Sequence, residues 1–196
     1  MDAMEFFQRS AGKWRSLRTT HHLPFRRAET GDSNIVVESL EANHPSIKEI
    51  CEIHAVNPQL SVGGALVEWN ASMAWDKEDE NHSGKTVFAL IPEETNPKQG
   101  QLLRERGYAE IMPVAGDYYI DEEEALVLVT EYETMSIFER FWFVGENMRV
   151  RTSTVKRFGG FNTATFSVEI RTQDNQQQEQ SPETKEATEL FSLSGW

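Results

Sequence analysis

ERFWFVGENMRVRTSTVKR, residues 139–157, reads as two strands and the turn between them. Both arms are rich in aromatic and β-branched residues, and between them lie Gly145, Glu146 and Asn147, where Gly or Asn can take the left-handed position that a three-residue hairpin loop needs. With that loop length Val144 pairs with Met148. The register then sets Phe143 opposite Arg149, Phe141 opposite Arg151 and Glu139 opposite Ser153 on one face, and leaves Arg140, Trp142, Val150 and Thr152 on the other. A two-residue loop would exchange the partners. Both parities carry apolar side chains, so periodicity alone leaves open whether the arginines at 149 and 151 face an interior or lie on a solvated outer strand.

Outward from this hairpin the chain continues to read as short strands bounded by Gly, Pro, Asn or Asp. They are KWRSLRTTHHL (13–23), NIVVESLE (34–41), GGALVEWNASMAWD (63–76), KTVFALIPE (85–93), GQLLRER (100–106), YAEIMPVAGDYYI (108–120), EALVLVTEYE (124–133), SIFERFWFV (136–144) and FNTATFSVEIR (161–171). Two segments break the pattern. The opening MDAMEFFQRSAG spaces Met4, Phe7 and Ala11 for a helix with Gly12 as its stop, and HPSIKEICEIHA (44–55) spaces Ile47, Ile50, Cys51 and His54 for a second short one. About ten strands in succession, with tight turns and almost no intervening helix, predict a mainly β fold. Its form is a closed antiparallel barrel with an N-terminal helix, since closure removes exposed edges.

At 196 residues the chain predicts one compact domain over 1–172. The remainder, 173–196, is a polar stretch read as a mobile tail that ends in ELFSLSGW. A net charge of −13 disfavours nucleic acid and anionic membrane as partners, because the mean field repels phosphate. The lone Cys51 allows no internal disulfide and reads as helix core. With neither a signal-type N-terminus nor a membrane-length apolar run, the chain is expected in a cytoplasm or a plastid stroma.

A barrel of this size has room for one small ligand, so the inward faces are where chemistry is sought. On 63–76 Val67, Trp69, Ala71, Met73 and Trp75 form the inward set, either as ordinary core or as the lining of a flat pocket. Arg18 shares a parity with Trp14, Ser16 and Thr20. If the Phe141 and Phe143 face is interior, Arg149 and Arg151 enter the barrel with Arg18, and Glu139 answers one of them. The surplus of positive charge then calls for an anionic ligand, and guanidinium forks about 7 Å apart along a strand suit a pair of carboxylates. Adjacent His21 and His22 point to opposite faces of a strand, His44, His54 and His82 are scattered, and the single cysteine adds no metal-ligand spacing; no phosphate loop or serine-nucleophile elbow is present.

The helix followed by Gly12-Lys13-Trp14 resembles the Gly-x-Trp opening of lipocalins and fatty-acid-binding proteins. Together with SAGKWRSLRTTHH, WNASMAWD and the 139–157 hairpin, residues 1–172 resemble the S/U-type phycobiliprotein bilin lyases. The resemblance implies a ten-stranded barrel that binds a bilin such as phycocyanobilin as substrate, without a cofactor. It implies thioether attachment of the bilin to a cysteine of a phycocyanin- or allophycocyanin-type subunit, by a homodimer or a heterodimer with a related lyase subunit. It also implies bilin contacts at Arg18, Trp69, Trp75, Arg151 and Ser153, with Glu139 and Arg149 as the catalytic pair. In that reading Arg149 and Arg151 clamp the two propionates, Arg18 is a third candidate, and Glu139 is the counter-ion of the pyrrole nitrogens. A passive carrier of a tetrapyrrole or fatty acid, and an assembly chaperone for phycobiliproteins, would use the same barrel.

Overall fold

A computed structural model describes residues 1–73, 82–105, 113–157 and 160–172. Ten antiparallel strands close into a barrel: β1 (Gly12–His22), β2 (Arg27–Leu40), β3 (Gly63–Met73), β4 (His82–Glu93), β5 (Asn96–Arg104), β6 (Val114–Ile120), β7 (Leu126–Glu131), β8 (Met135–Phe143), β9 (Met148–Arg157) and β10 (Gly160–Arg171). Every strand pairs with its neighbours in sequence, and β1 with β10 completes the ring, so no edge is left open. Helix α1 (Ala3–Ser10) precedes the barrel and α2 (Pro45–Ile53) interrupts it between β2 and β3. Among the described residues no helix is long and apolar enough to cross a membrane.

The 139–157 hairpin has the three-residue loop, closed by a 2.8 Å bond from the Val144 N–H to the Met148 carbonyl, with Gly145 in the left-handed region at φ +84°. Phe143 pairs with Arg149, Phe141 with Arg151 and Glu139 with Ser153. Some boundaries differ from the expectation. Ala11 caps α1, and Gly12 instead opens β1 at φ +125°. Strand β2 begins at Arg27 rather than near Asn34, because β1 offers it backbone partners as far as His22, and ladder bonds make a strand of the polar AETGDS run. Strands β6 and β7 are shorter than read, starting at Val114 and ending at Glu131; residues 108–112, and the tail 173–196, lie outside the described residues.

The interior has two halves. Helix α1 plugs one end, anchored by a capping box between Asp2 and Glu5, and its Met4, Phe6 and Phe7 join Trp14, Val37, Ala65, Phe88, Leu90, Leu102, Tyr118, Leu126 and Leu128 in the main core. Phe6 packs on Phe143 at 4.9 Å, and the Trp14 indole N–H donates to the Ser10 carbonyl at 2.8 Å. Arg171 ties plug to barrel by donating to the Arg9 and Ala11 carbonyls and stacking over Trp14 at 4.2 Å. Outside the barrel α2 buries Ile47, Ile50 and Cys51 on Leu40, Ala89 and Leu103, and burial pushes the Cys51 thiol up. Towards the other end the inward positions turn small and polar, with Ser16, Thr20 and Ser167 buried.

Tyr118 gives the core a pH signature. Burial, reinforced by Asp2 and Glu93, pushes its phenol up to about 12, so the unfolded chain loses this proton first as pH rises. The stabilising contribution is complete below about pH 10, the unfolded value, and fades as pH climbs towards 12. Denaturant titrations of the protein and of Tyr118→Phe across that window should show a steeper alkaline loss of stability in the parent.

Candidate ligand site in the barrel lumen

The charged layer of the site lies where the apolar plug ends. Arg149 is 5% exposed, its guanidinium 4.9 Å from the Trp14 ring and 5.8 Å from that of Phe141. Its cross-strand neighbour on β10 is Glu169, 1% exposed, and Arg149 Nη2 and Nε reach the Glu169 carboxylate at 2.5 and 2.6 Å. One step towards the open end, Arg151 bonds Glu139, which is itself 1% exposed. Buried Arg104 of β5 approaches the other Glu139 oxygen at 3.7 Å and lies 5.0 Å over the Phe88 ring.

In the next register position Arg151 sits beside Ser167, and Ser167 beside Arg18, so two guanidinium-bearing residues flank one small side chain across three strands. Adjacent strands are about 4.8 Å apart, which separates the two backbones by roughly 10 Å. Arg18 is half-buried, and the Arg151 side chain is 29% exposed against 6% for Arg149. Ser153, half-buried, follows towards the opening beside Thr165, whose hydroxyl meets that of Thr20 at 3.0 Å. At inward register positions below Thr20, the described residues thus set four arginines (Arg18, Arg104, Arg149 and Arg151) with two glutamates (Glu139 and Glu169). The excess of cation in a chain of net charge −13 is local, and it suits a ligand with two acid groups.

Trp69 stands half-buried on β3, facing inward with buried Ala71 and Ala65. Its indole lies over the backbone of its β4 neighbour Gly84, where a Cβ would come within 2.4 Å of the ring; glycine there makes room for it. Trp75 lies outside the described residues. A cavity of about 860 Å³ occupies the open end, lined by His22, Phe25, Arg27, Ala28 and Glu29. A second hollow of about 610 Å³, between β4, β5 and β6 and bordered by Tyr118 and Tyr119, has no arginine among its described lining residues.

The outer parity of the hairpin is equally definite. Arg140 binds Asp121 at 2.7 Å and Glu123 at 2.5 Å and covers Trp142. Burial pushes the Asp121 carboxyl up, but bonds from Arg140 and from the Ala125 and Glu123 backbone outweigh it and hold the group below its ordinary value.

Two charged members of the layer escape a reading of the sequence. Arg104 follows Leu102 and Leu103, both buried, because α2 covers the outer face of β5 while the core covers the inner one; parity therefore carries no signal. The end of β5 is pinned from outside as well, where His54 Nε2–H donates to the Arg104 carbonyl at 2.8 Å. Glu169 alternates with Val168 and Ile170, and here the polar set faces in while Ile170 is half exposed.

The profile of the family described as CpeS-like protein matches residues 2–172. The chain is 67% identical to "Chromophore lyase CpcS/CpeS 2" of Synechocystis over 182 residues, covering 93% of this chain and 95% of that protein. It is 61% identical to "Phycocyanobilin lyase subunit CpcS" of Picosynechococcus over an alignment of 199 residues, covering 100% and 98%. The solved S-type phycobiliprotein lyase of Guillardia theta superposes with a TM-score of 0.77 at 32% identity, over 88% of this chain and 94% of that one.

The Arg149–Glu169 pair gives a stability test. Glu169→Leu leaves the Arg149 charge buried without its carboxylate and should destabilise by roughly 3–5 kcal/mol. Arg149→Met combined with Glu169→Leu should recover most of that loss. Urea denaturation midpoints of the single and double variants measure both.

Proposed function

The chain belongs to the CpeS-like family, and from that premise we propose that it is a bilin lyase, which holds phycocyanobilin or a related linear tetrapyrrole in its lumen and promotes thioether formation with a cysteine of a phycobiliprotein subunit. The observation that carries the reading is the buried cationic layer at the floor of a polar, open half-barrel. A bilin has two propionates and a flat, conjugated, protonatable body, and the lumen has a counterpart to each.

Arg18 and Arg151, on either side of Ser167, receive the propionates. Arg149, one row deeper and held by Glu169, forms the floor of the clamp and adds its charge from below. Glu139 lies between Arg104 and Arg151; when a propionate takes over Arg151, Arg104 still faces Glu139, whose carboxylate becomes the acceptor for the pyrrole N–H groups. Trp69, with Trp75 assigned by the resemblance, restricts the ring system, and the hydroxyls of Ser153 and its neighbours line the wall. Ring A then points to the open end.

The partner's thiolate attacks the ethylidene carbon of ring A, the double-bond pair shifts to the adjacent ring carbon, and that carbon takes up a proton. The sum is addition of S–H across C=C, so no oxidant or reductant is consumed. The barrel contributes orientation and exclusion of water around a ligand whose free form is flexible. In this reading Glu139 is the counter-ion that keeps the pyrrole nitrogens protonated and the ring system electron-poor.

Mixing the protein, phycocyanobilin and an apo-phycobiliprotein should give a denaturation-resistant pigment at one defined cysteine, faster than the spontaneous reaction; uptake of bilin with no acceleration would leave only a carrier. Arg151→Gln should weaken bilin binding by about 10- to 100-fold, the loss of one charge-assisted contact. Glu139→Gln should leave a bound bilin without the red-shifted absorption of its protonated form. Absorbance titrations read both.

A further inference from the structure

Among the described residues, two neighbouring hairpin tips at the open end of the barrel, β1–β2 and β9–β10, form an exposed apolar and basic rim. Between β1 and β2 a single 3-10 turn, Leu23–Phe25, carries Leu23 at 46% and Phe25 at 75% exposure, and Phe161, at the start of β10, is 58% exposed. The turn packs against β10, so the three side chains belong to neighbouring hairpin tips. Around them stand exposed Arg26, Arg27, Lys156 and Arg157. The carboxylate on these two tips is Glu29, which faces His22 at 3.2 Å, and the basic arc ends where β7 turns into β8, at exposed Glu131 and Glu133.

Four cations around three exposed hydrophobic side chains stand out in a protein of net charge −13, where the general surface repels an acidic partner. The turn is also stiff: Pro24 lies within it, and Arg26 closes it in the left-handed conformation at φ +49°, which non-glycine residues adopt at a cost. Large side chains on a rigid support lose little freedom on binding, which is what an anchor for a partner requires. The rim also borders the 860 Å³ cavity, which Phe25 and Arg27 help to line.

We infer that this rim docks the acceptor protein, an acidic surface with an apolar centre next to the cysteine to be modified. The inference rests on the lyase reading, which requires the thiolate to arrive at the open end, and it names where the partner sits. The acceptor is preferred over a second copy of the chain because a two-fold contact through this rim sets cation against cation. It is preferred over the bilin because Leu23, Phe161, Arg26 and Lys156 are not among the residues lining the cavity.

The test uses two double variants, Leu23→Ser with Phe161→Ser and Arg26→Glu with Lys156→Glu. Bilin affinity, read by absorbance titration, should stay within about twofold of the parent in both. The KM for apo-phycobiliprotein should rise by about tenfold or more in each, while kcat at saturating acceptor holds. Raising ionic strength should weaken acceptor binding by the parent and much less by the charge-reversed variant. Direct binding of apo-phycobiliprotein to the bilin-free barrel, by interferometry, reads the rim even where transfer fails; failed transfer with intact docking faults the lyase reading alone. The inference is overturned by an unchanged KM and unchanged direct binding. It is equally overturned by a loss of bilin affinity, which would assign the rim to the ligand, or by a parent dimer in sedimentation that the Leu23/Phe161 variant dissociates, which would assign it to a second copy.

Discussion

A guanidinium group buried against an indole organises this barrel. Arg149 lies between Trp14 and Phe141 with its charge met by Glu169, at the level where the hydrocarbon plug gives way to hydroxyls and charge. An arginine in that position is tolerable only with a carboxylate in hydrogen-bond contact, and the pair in turn demands a neighbourhood that is polar on one side and closely packed on the other. Trp14 serves both sides. Its indole N–H binds the end of α1, Arg171 covers it at 4.2 Å, and its ring edge belongs to the main core.

The division of the interior follows from that boundary. Below it, α1 supplies Met4, Phe6 and Phe7 to the apolar core that closes this end of the barrel. Above it, serines, threonines and glycines leave space, and the space is bordered by fixed charge. Arg104 and Glu139 are both buried, which holds the carboxylate in place, so in the proposed reading a bilin meets a preorganised surface and little reorganisation is left for the moment of reaction.

Outside the barrel the same economy of charge separates two surfaces. Most of the chain is acidic, and Arg15 and Arg140 are engaged with Asp32 and Asp121. At the tips of the β1–β2 and β9–β10 hairpins the sign changes, with Arg26, Arg27, Lys156 and Arg157 exposed around Leu23, Phe25 and Phe161. In the proposed reading these tips border the cavity through which a partner's thiol reaches the pigment.

The barrel, the two helices and the hairpin register were legible in the residues, because β-branched and aromatic runs, turn residues at Gly145–Asn147 and a 3.6-residue apolar spacing are local signals. Parity already put Arg149, Arg151, Glu139 and Ser153 on one face and Arg18 with Trp14. Which face was interior was not legible, since both carry apolar groups, and only α1 packing Phe6 onto Phe143 decides it. Glu169 and Arg104 were hidden for a related reason: one belongs to a strand whose polar side faces in, the other to a strand covered on both sides. The sequence by itself determined the strands, their order and the side chains that share a face. Tertiary structure decided which charges neutralise one another, because Arg104 of β5 meets Glu139 of β8 only across the lumen of the closed ring, and the β9–β10 register that sets Arg149 beside Glu169 carries a shift between Phe161 and Thr163 with no local sequence signal.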